Sequence, residues 1–152
     1  MRKYVLDTAC FIDAANDPQA AEAFEAFCLQ AAPGLFLSSV VAAELRSGMR
    51  SAVERKRLER LVLEPYLRRG RLITPSTSAW EALGSILATL REREGLEVER
   101  TPRSFVFDVL IASSCREAGA VLISANVRDM ERIARVAAFD WARPYPSLSP
   151  AR

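Results

Sequence analysis

The sequence predicts one α/β domain, with three layers in the order α/β/α and a central, mainly parallel sheet of four or five short strands. Short apolar runs alternate with helical patterns along the chain, which is typical of a parallel sheet covered by helices on both faces. The length of 152 residues fits one domain. Half of the residues are hydrophobic and 26% are charged, a composition that can form a buried core.

The first half of the chain is predicted to supply three strands and three helices. Asp17, as N-cap, and Pro18, in the first turn, begin the first of these helices. Either Ser38 or Ser39 caps the second helix, and Pro65 is a candidate kink in the third, which is charged and amphipathic. The strands are assigned to residues 3–7, 35–37 and 71–75, and the charged helix to residues 51–69.

The second half is predicted to add three helices, a buried strand and an edge strand. Gly119 is typical of the residue that follows the last turn of a helix. The helices are assigned to residues 78–95, 105–119 and 127–134, and the strands to residues 120–124 and 136–140. Residues 1–145 are taken as the domain, and the Pro- and Ser-rich residues 146–152 as a disordered C-terminal tail.

The composition excludes several classes of site. The chain has no histidine, so it can hold neither a Ser-His-Asp or Cys-His triad nor a histidine-ligated metal. Its three cysteines are far apart, which argues against a disulfide framework and indicates a reducing cytoplasm. Acidic residues interrupt the apolar N-terminus and no apolar window is long enough to cross a bilayer, so neither a signal peptide nor a membrane partner is expected.

Four acidic side chains occupy positions where an ionised group is unusual. Asp7 directly follows the first strand, and Glu44 and Asp108 each interrupt an apolar helical run. Ser124-Ala125-Asn126 follows the fourth strand, and Asp129 lies three residues later at the start of a helix. Because sites in parallel sheets form beyond the carboxyl ends of the strands, these acids are candidates for one shared site.

Each acid also has a plain structural interpretation. Asp7 could cap a turn, Glu44 could face solvent, and Asn126 and Asp129 could make a turn and a helix cap. Asp108 could pair with an arginine such as Arg46 or Arg103. A buried carboxylate without a partner costs several kcal/mol. A hard divalent ion, Mg²⁺ or Mn²⁺, would be a partner for all of the acids together, since such ions prefer oxygen ligands.

Four segments together resemble the PIN-domain ribonucleases, and most closely the VapC-type toxins of bacterial and archaeal toxin–antitoxin pairs. They are VLDT at the N-terminus, AAELRSG in the first third, FDVLIA in the last third and LISANVRDMERI near the end. They occur in the family's order, and the resemblance covers roughly residues 3–142. The resemblance implies a PIN-like fold and metal-dependent hydrolysis of RNA phosphodiester bonds. It further implies a cognate small antitoxin protein that masks the site, and a homodimer.

The resemblance also implies roles for individual residues. Asp7 and Asp108 would be direct metal ligands, and Glu44 would be a ligand or would orient the water. Asp129 would hold a second metal or a ligating water, and either it, Asn126 or both would complete the acidic site. Thr8 and Ser124 would support the carboxylates by hydrogen bonds. The catalytic set is therefore Asp7, Glu44, Asp108 and Asp129, with Mg²⁺ or Mn²⁺ as cofactor.

An acidic cleft repels RNA, so basic residues are expected at its rim. Residues 46–71 contain nine basic and three acidic side chains, a local charge of +6 in a chain of net charge +2. One interpretation is a surface that contacts RNA phosphates. The other is a solvated helix with ion pairs such as Arg55–Glu59 or Arg60–Glu64. The RNA-binding candidates are Arg46, Arg50, Arg55, Lys56 and Arg57.

Other classes with acids at strand ends fit less well. A phosphorelay receiver needs a late lysine, and none follows Lys56. A haloacid-dehalogenase phosphatase needs Asp-x-Asp, where this chain has Asp7-Thr8-Ala9. The scattered glycines form no phosphate-binding loop. The alternative that remains is a catalytically degenerate PIN-like domain that binds RNA or protein, an alternative that Asn126 keeps open.

Overall fold

The computed structural model describes residues 2–148, whose strands form one five-stranded parallel sheet. The strands are β1 (Lys3–Leu6), β2 (Leu35–Ser38), β3 (Leu72–Ile73), β4 (Ala120–Ile123) and β5 (Trp141–Ala142). Their order in the sheet is β3-β2-β1-β4-β5, and every neighbouring pair is parallel. The predicted α/β class and the mainly parallel sheet are therefore confirmed.

The helices begin at the caps that the sequence indicates. Asp17 accepts a hydrogen bond from the backbone N–H of Gln19, and Ser38 accepts two from the start of the next helix. Gly119 follows the last helical residue with a φ of 66°, in the left-handed region. The α-helices are α1 (Thr8–Asn16), α2 (Pro18–Ala31), α3 (Ser39–Ser47), α4 (Ala52–Arg57), α5 (Glu64–Arg68), α6 (Thr77–Glu94), α7 (Arg103–Ala118) and α8 (Val127–Ala134).

Residues 52–68 form the predicted charged helix, with one irregularity. A π-helical turn, Leu58–Leu63, separates α4 from α5. Pro65 follows it in the first turn of α5 and has no backbone N–H to donate. The irregularity expected at Pro65 is therefore a π-helical turn that ends just before this residue.

One predicted element lies elsewhere in the structure, and one helix was not predicted. The edge strand is β5 and not residues 136–140, because Val136 and Ala137 donate their N–H groups to the carbonyl of Ile133 in the turn that ends α8. The chain becomes extended only afterwards, where Asp140 and Ala142 accept hydrogen bonds from β4 and the residue after it. Helix α1 was not predicted, although Asp7 is its N-cap.

Alternating side chains of the strands pack into two cores, one on each face of the sheet. Val5, Leu37 and Leu122 belong to the larger core, with α3, α6 and α7, whereas Leu6 and Ile123 belong to the smaller core, with α1 and α2. This gives the predicted three layers. The C-terminal segment continues the smaller core through Tyr145 and Leu148, and residues 149–152 of the expected disordered tail lie outside the described residues.

None of the helices within residues 2–148 is both long enough and apolar enough to cross a membrane.

Candidate active site

The ends of the two central strands bring Asp7 and Ser124 into contact. Leu6 and Ile123 are partners in the parallel register of β1 and β4, so the residues that follow them lie side by side. The Ser124 hydroxyl donates to Oδ2 of Asp7 at 2.8 Å, and the backbone N–H of Thr8 donates to Oδ1 at 2.8 Å. Asp7 is only 5% exposed, and both of its carboxylate oxygens are oriented by hydrogen bonds.

Helix α3 brings Glu44 to the same edge of the sheet. The helix follows β2, the neighbour of β1, and is fixed at its start by the Ser38 cap. The hydroxyl of Thr8 donates to Oε1 of Glu44 at 2.8 Å. Thr8 therefore holds one carboxylate through its backbone and another through its side chain.

Asn126 joins the remaining two acids. Its side-chain amide donates to Asp129 at 2.6 Å and to Asp108, on α7, at 3.4 Å. Its backbone N–H donates to the Ser124 hydroxyl at 3.1 Å, and its side-chain oxygen caps α8. Asn126 thus connects the acids of the two C-terminal helices to the strand end that holds Asp7.

These contacts form one continuous hydrogen-bonded network, which we call the acidic network. It brings together all the residues to which the sequence assigned catalytic or supporting roles. Asn126 and Asp129 both belong to it, the first as a bridging amide and the second as a carboxylate. The acidic network consists of Asp7, Thr8, Glu44, Asp108, Ser124, Asn126 and Asp129.

Burial and neighbouring negative charge raise the pKa values of three carboxyl groups of the network, Asp7, Glu44 and Asp108. Burial, with the negative charges of Asp7, Asp129 and Glu44, raises the pKa of Asp108 to about 8. Burial also raises the pKa of Asp7, against the opposing hydrogen bonds from Ser124 and Thr8. Burial raises the pKa of Glu44 as well, and the charge of Asp7 adds to the rise. The site therefore concentrates negative charge that a cation would relieve.

The alternative of an arginine partner for Asp108 is wrong. Arg46 forms its ion pair with Glu59, at 2.5 Å, and the Arg103 guanidinium lies 5.9 Å from the centre of the Phe107 ring. Within residues 2–148, none of the four network acids takes part in a salt bridge. The charge of the network is therefore not balanced by a guanidinium in contact with it.

The oxygen atoms of the acidic network are of the kind that a hard divalent ion binds. The network supplies carboxylate oxygens, with hydroxyl and amide groups behind them and no nitrogen or sulfur ligand, which is what Mg²⁺ and Mn²⁺ prefer. In the part of the chain that is described, no three acidic side chains are gathered tightly enough to form a finished ligand cage.

The five RNA-binding candidates differ in their surroundings. Arg46 is engaged by Glu59, and the backbone of Arg50 donates to Glu54. Neither the Arg55–Glu59 pair nor the Arg60–Glu64 pair forms, since Glu59 pairs with Arg46 and Glu64 with Arg68. Four of the five candidates, Arg50, Arg55, Lys56 and Arg57, are exposed, and their side chains form no salt bridge with a carboxylate of residues 2–148; the last three lie on α4.

An apolar groove, which sequence reasoning missed, lies between α1, α2 and residues 52–68. Its cavity volume is about 540 Å³, and Phe11, Phe24, Leu58 and Val62 are among the side chains that line it. Ile12 and Leu61, also in its lining, are 48% and 59% exposed. The apolar residues of TACFIDAAN, directly after the first strand, were the available signal for the α1 wall.

Comparisons with known proteins identify a family match and structures with the same fold. The sequence profile of the PIN domain matches residues 4–136. The DNA-bound VapBC structure from Salmonella typhimurium is 26% identical with a TM-score of 0.68, and the match covers 94% of this chain and 98% of that chain. No curated protein sequence matches significantly.

Two further structures show the same fold at lower identity. VapBC2 from Rickettsia felis, bound to a promoter DNA fragment, is 24% identical with a TM-score of 0.66, and the match covers 92% of this chain and 97% of that chain. FitAcB from Neisseria gonorrhoeae is 19% identical with a TM-score of 0.66, covering 93% of this chain and 97% of that chain.

Proposed function

Since this chain belongs to the PIN-domain family, we propose that it is a divalent-metal-dependent endoribonuclease and the toxin of a type II toxin–antitoxin pair. PIN domains of the VapC type are nucleases, which gives the general class of the reaction. The hydrolysis of RNA, the requirement for Mg²⁺ or Mn²⁺ and the role of each residue are the parts that we propose.

One observation carries the proposal. Four carboxylates from separate segments of the chain lie in one hydrogen-bonded network, and none is in salt-bridge contact with an arginine or lysine of residues 2–148. Asp7 and Asp108 are buried, and burying an ionised carboxylate without a partner costs several kcal/mol, more than a helix cap contributes. A divalent cation accounts for all four acids at once.

Each residue of the network has a role that follows from its contacts. We assign Asp7 and Asp108 as the metal ligands, because they are the most buried of the four acids. Glu44, held by Thr8, would be a further ligand or would orient the attacking water. Asn126 would hold Asp108 and Asp129 in position, and Ser124 would orient Asp7. When bound, the ion would activate water and offset charge on the reacting phosphate.

The requirement for a metal is tested by cleavage of a panel of structured RNAs. We expect cleavage with Mg²⁺ or Mn²⁺, none after chelation, and recovery when the ion is returned. Asp7→Asn should lose most of the activity, whereas Asp13→Asn, the same change at an exposed position of α1, should keep it. Cleavage that persists in excess chelator would contradict the proposed mechanism.

We assign the exposed cations of α4 to RNA binding. Reversal of Arg55, Lys56 and Arg57 to Glu should weaken RNA binding and lower the slope of log Kd against log salt by about 2, since each lost contact with a single strand removes about 0.7. Fluorescence anisotropy over a salt series measures both effects. The control is Arg116→Glu, in the last turn of α7, which should keep the wild-type slope. An unchanged slope in the triple variant would rule out this surface.

The apolar groove supports an antitoxin partner. VapBC from Salmonella typhimurium, which shares this fold, is a toxin–antitoxin complex, and a groove with exposed Ile12 and Leu61 offers an apolar surface for such a partner. We propose that a small antitoxin binds in this groove. We further propose that the chain forms a homodimer, and that the chain and its antitoxin act in the cytoplasm.

A degenerate PIN-like module that binds RNA or protein is the second candidate. Asn126 favours it, because an amide between Asp108 and Asp129 brings no charge to the site. RNA binding without cleavage of any RNA in the panel, at saturating Mg²⁺ and Mn²⁺, would support the module and contradict the enzyme.

A further inference from the structure

A polar cavity opens beside the acidic network, on the side of α8. Its volume is about 620 Å³, within the range of about 300–1,000 Å³ that is usual for ligand sites. Asn126 and Asp129 line it, so it adjoins the candidate active site directly. The remaining walls come from residues 94–105 and from the exposed face of α8.

Three arginines line this cavity, and two of them are already paired. Arg100 forms an ion pair with Glu97 at 3.0 Å. Arg132 forms one with Glu94 at 3.1 Å, and its guanidinium lies 5.0 Å from the centre of the Phe105 ring. Arg128 is exposed, and no carboxylate of residues 2–148 lies within salt-bridge distance of it.

The position of Arg128 is unfavourable for the helix that carries it. It lies in the first turn of α8, where the positive end of the helix dipole disfavours a cation. The neighbouring residue, Asp129, bonds to Asn126 rather than to Arg128. A phosphate in the cavity would give the Arg128 guanidinium the anionic partner that it lacks within residues 2–148.

We propose that this cavity binds the RNA strand next to the scissile bond and that Arg128 contacts a phosphate there, an inference that rests on the proposed ribonuclease function. Arg128 would then add a phosphate contact on the α8 side of the acidic network. Arg128 is a substrate-binding residue in this arrangement, and it takes no part in the bond-breaking step.

The test compares Arg128→Gln with Arg116→Gln, an exposed arginine beside a different cavity that also has no acidic partner within residues 2–148. Binding of a short fluorescein-labelled single-stranded RNA is measured in the Asp108→Asn background, so that the RNA stays intact. Arg128→Gln should weaken binding about tenfold and lower the salt slope by about 0.7, whereas Arg116→Gln should change neither. In the active protein, Arg128→Gln should raise KM with little change in kcat.

A set of RNAs with a neutral methylphosphonate at successive positions locates the contact. A methylphosphonate at one position near the cleaved bond should weaken RNA binding by the Asp108→Asn protein. The same RNA should show no such loss with the double variant Asp108→Asn, Arg128→Gln. RNA binding and cleavage that Arg128→Gln leaves unchanged would overturn the inference and leave the ribonuclease proposal intact. A wild-type protein that binds and cleaves no RNA would overturn both.

Discussion

Asp108→Asn is expected to lower the rate of RNA cleavage by about 10³-fold or more. Asp108 is 7% exposed and lies among the charges of Asp7, Glu44 and Asp129. Loss of one ligand to a catalytic ion removes several kcal/mol of transition-state stabilisation, and each 1.4 kcal/mol is about tenfold in rate. The amide has nearly the shape of the carboxylate, so the packing of α7 should be preserved.

Single-turnover cleavage at saturating metal measures this loss without interference from product release. RNA affinity should be kept or should rise in Asp108→Asn, since the change removes a negative charge that repels the substrate. A rate loss with intact binding separates chemistry from folding and from RNA recognition. Asp13→Asn again serves as the matched control. Cleavage by Asp108→Asn at the wild-type rate would exclude Asp108 as a metal ligand.

The sequence predicted the parts of the site that depend on short stretches of chain, such as strand ends, helix caps and a charge within an apolar helix. Asp7 and Ser124 directly follow neighbouring strands of a parallel sheet, and that relation alone places them together. Asp108 was conspicuous because a carboxylate interrupted an otherwise apolar helix. The caps at Asp17 and Ser38 follow from residue type and position.

The parts that the sequence did not predict depend on contacts between distant segments. The bond from Thr8 to Glu44 and the double role of Asn126 require the packing of α1, α3 and α8, which no local pattern specifies. The edge strand was misplaced because two apolar residues after α8 complete a turn instead of pairing with β4. The cavity beside Arg128 is formed by residues 94–105 and α8, far apart in sequence.

The stability of the metal-free protein is expected to fall as the pH rises from about 5 to 8. The pKa of Asp108 is raised from 3.8 to about 8 by burial and by its acidic neighbours, so the folded state keeps a proton that the unfolded state has released. The free energy of unfolding then decreases by at most about 1.4 kcal/mol per pH unit for this one proton. The raised pKa values of Asp7 and Glu44 act in the same direction.

The lowered pKa values of two surface glutamates do not affect stability between pH 5 and 8. The pKa values of Glu59 and Glu94 are lowered by hydrogen bonds from arginines, and their stabilising effect is lost only in more acidic solution. Asp108→Asn removes the titrating proton and a buried charge. The variant should therefore be more stable than wild type at pH 8, with a weaker dependence on pH, and the difference should shrink towards pH 5.

Urea unfolding in the presence of a chelator, at a series of pH values, measures both curves. Added Mg²⁺ or Mn²⁺ should stabilise the wild-type protein at pH 8, because an ion that binds only the folded state shifts the equilibrium by mass action, and should stabilise Asp108→Asn far less. Asp140→Asn, at an exposed carboxylate, should follow the wild-type curve. If wild type and Asp108→Asn show parallel pH profiles and equal stabilisation by the ion, Asp108 neither carries the buried charge nor binds the metal.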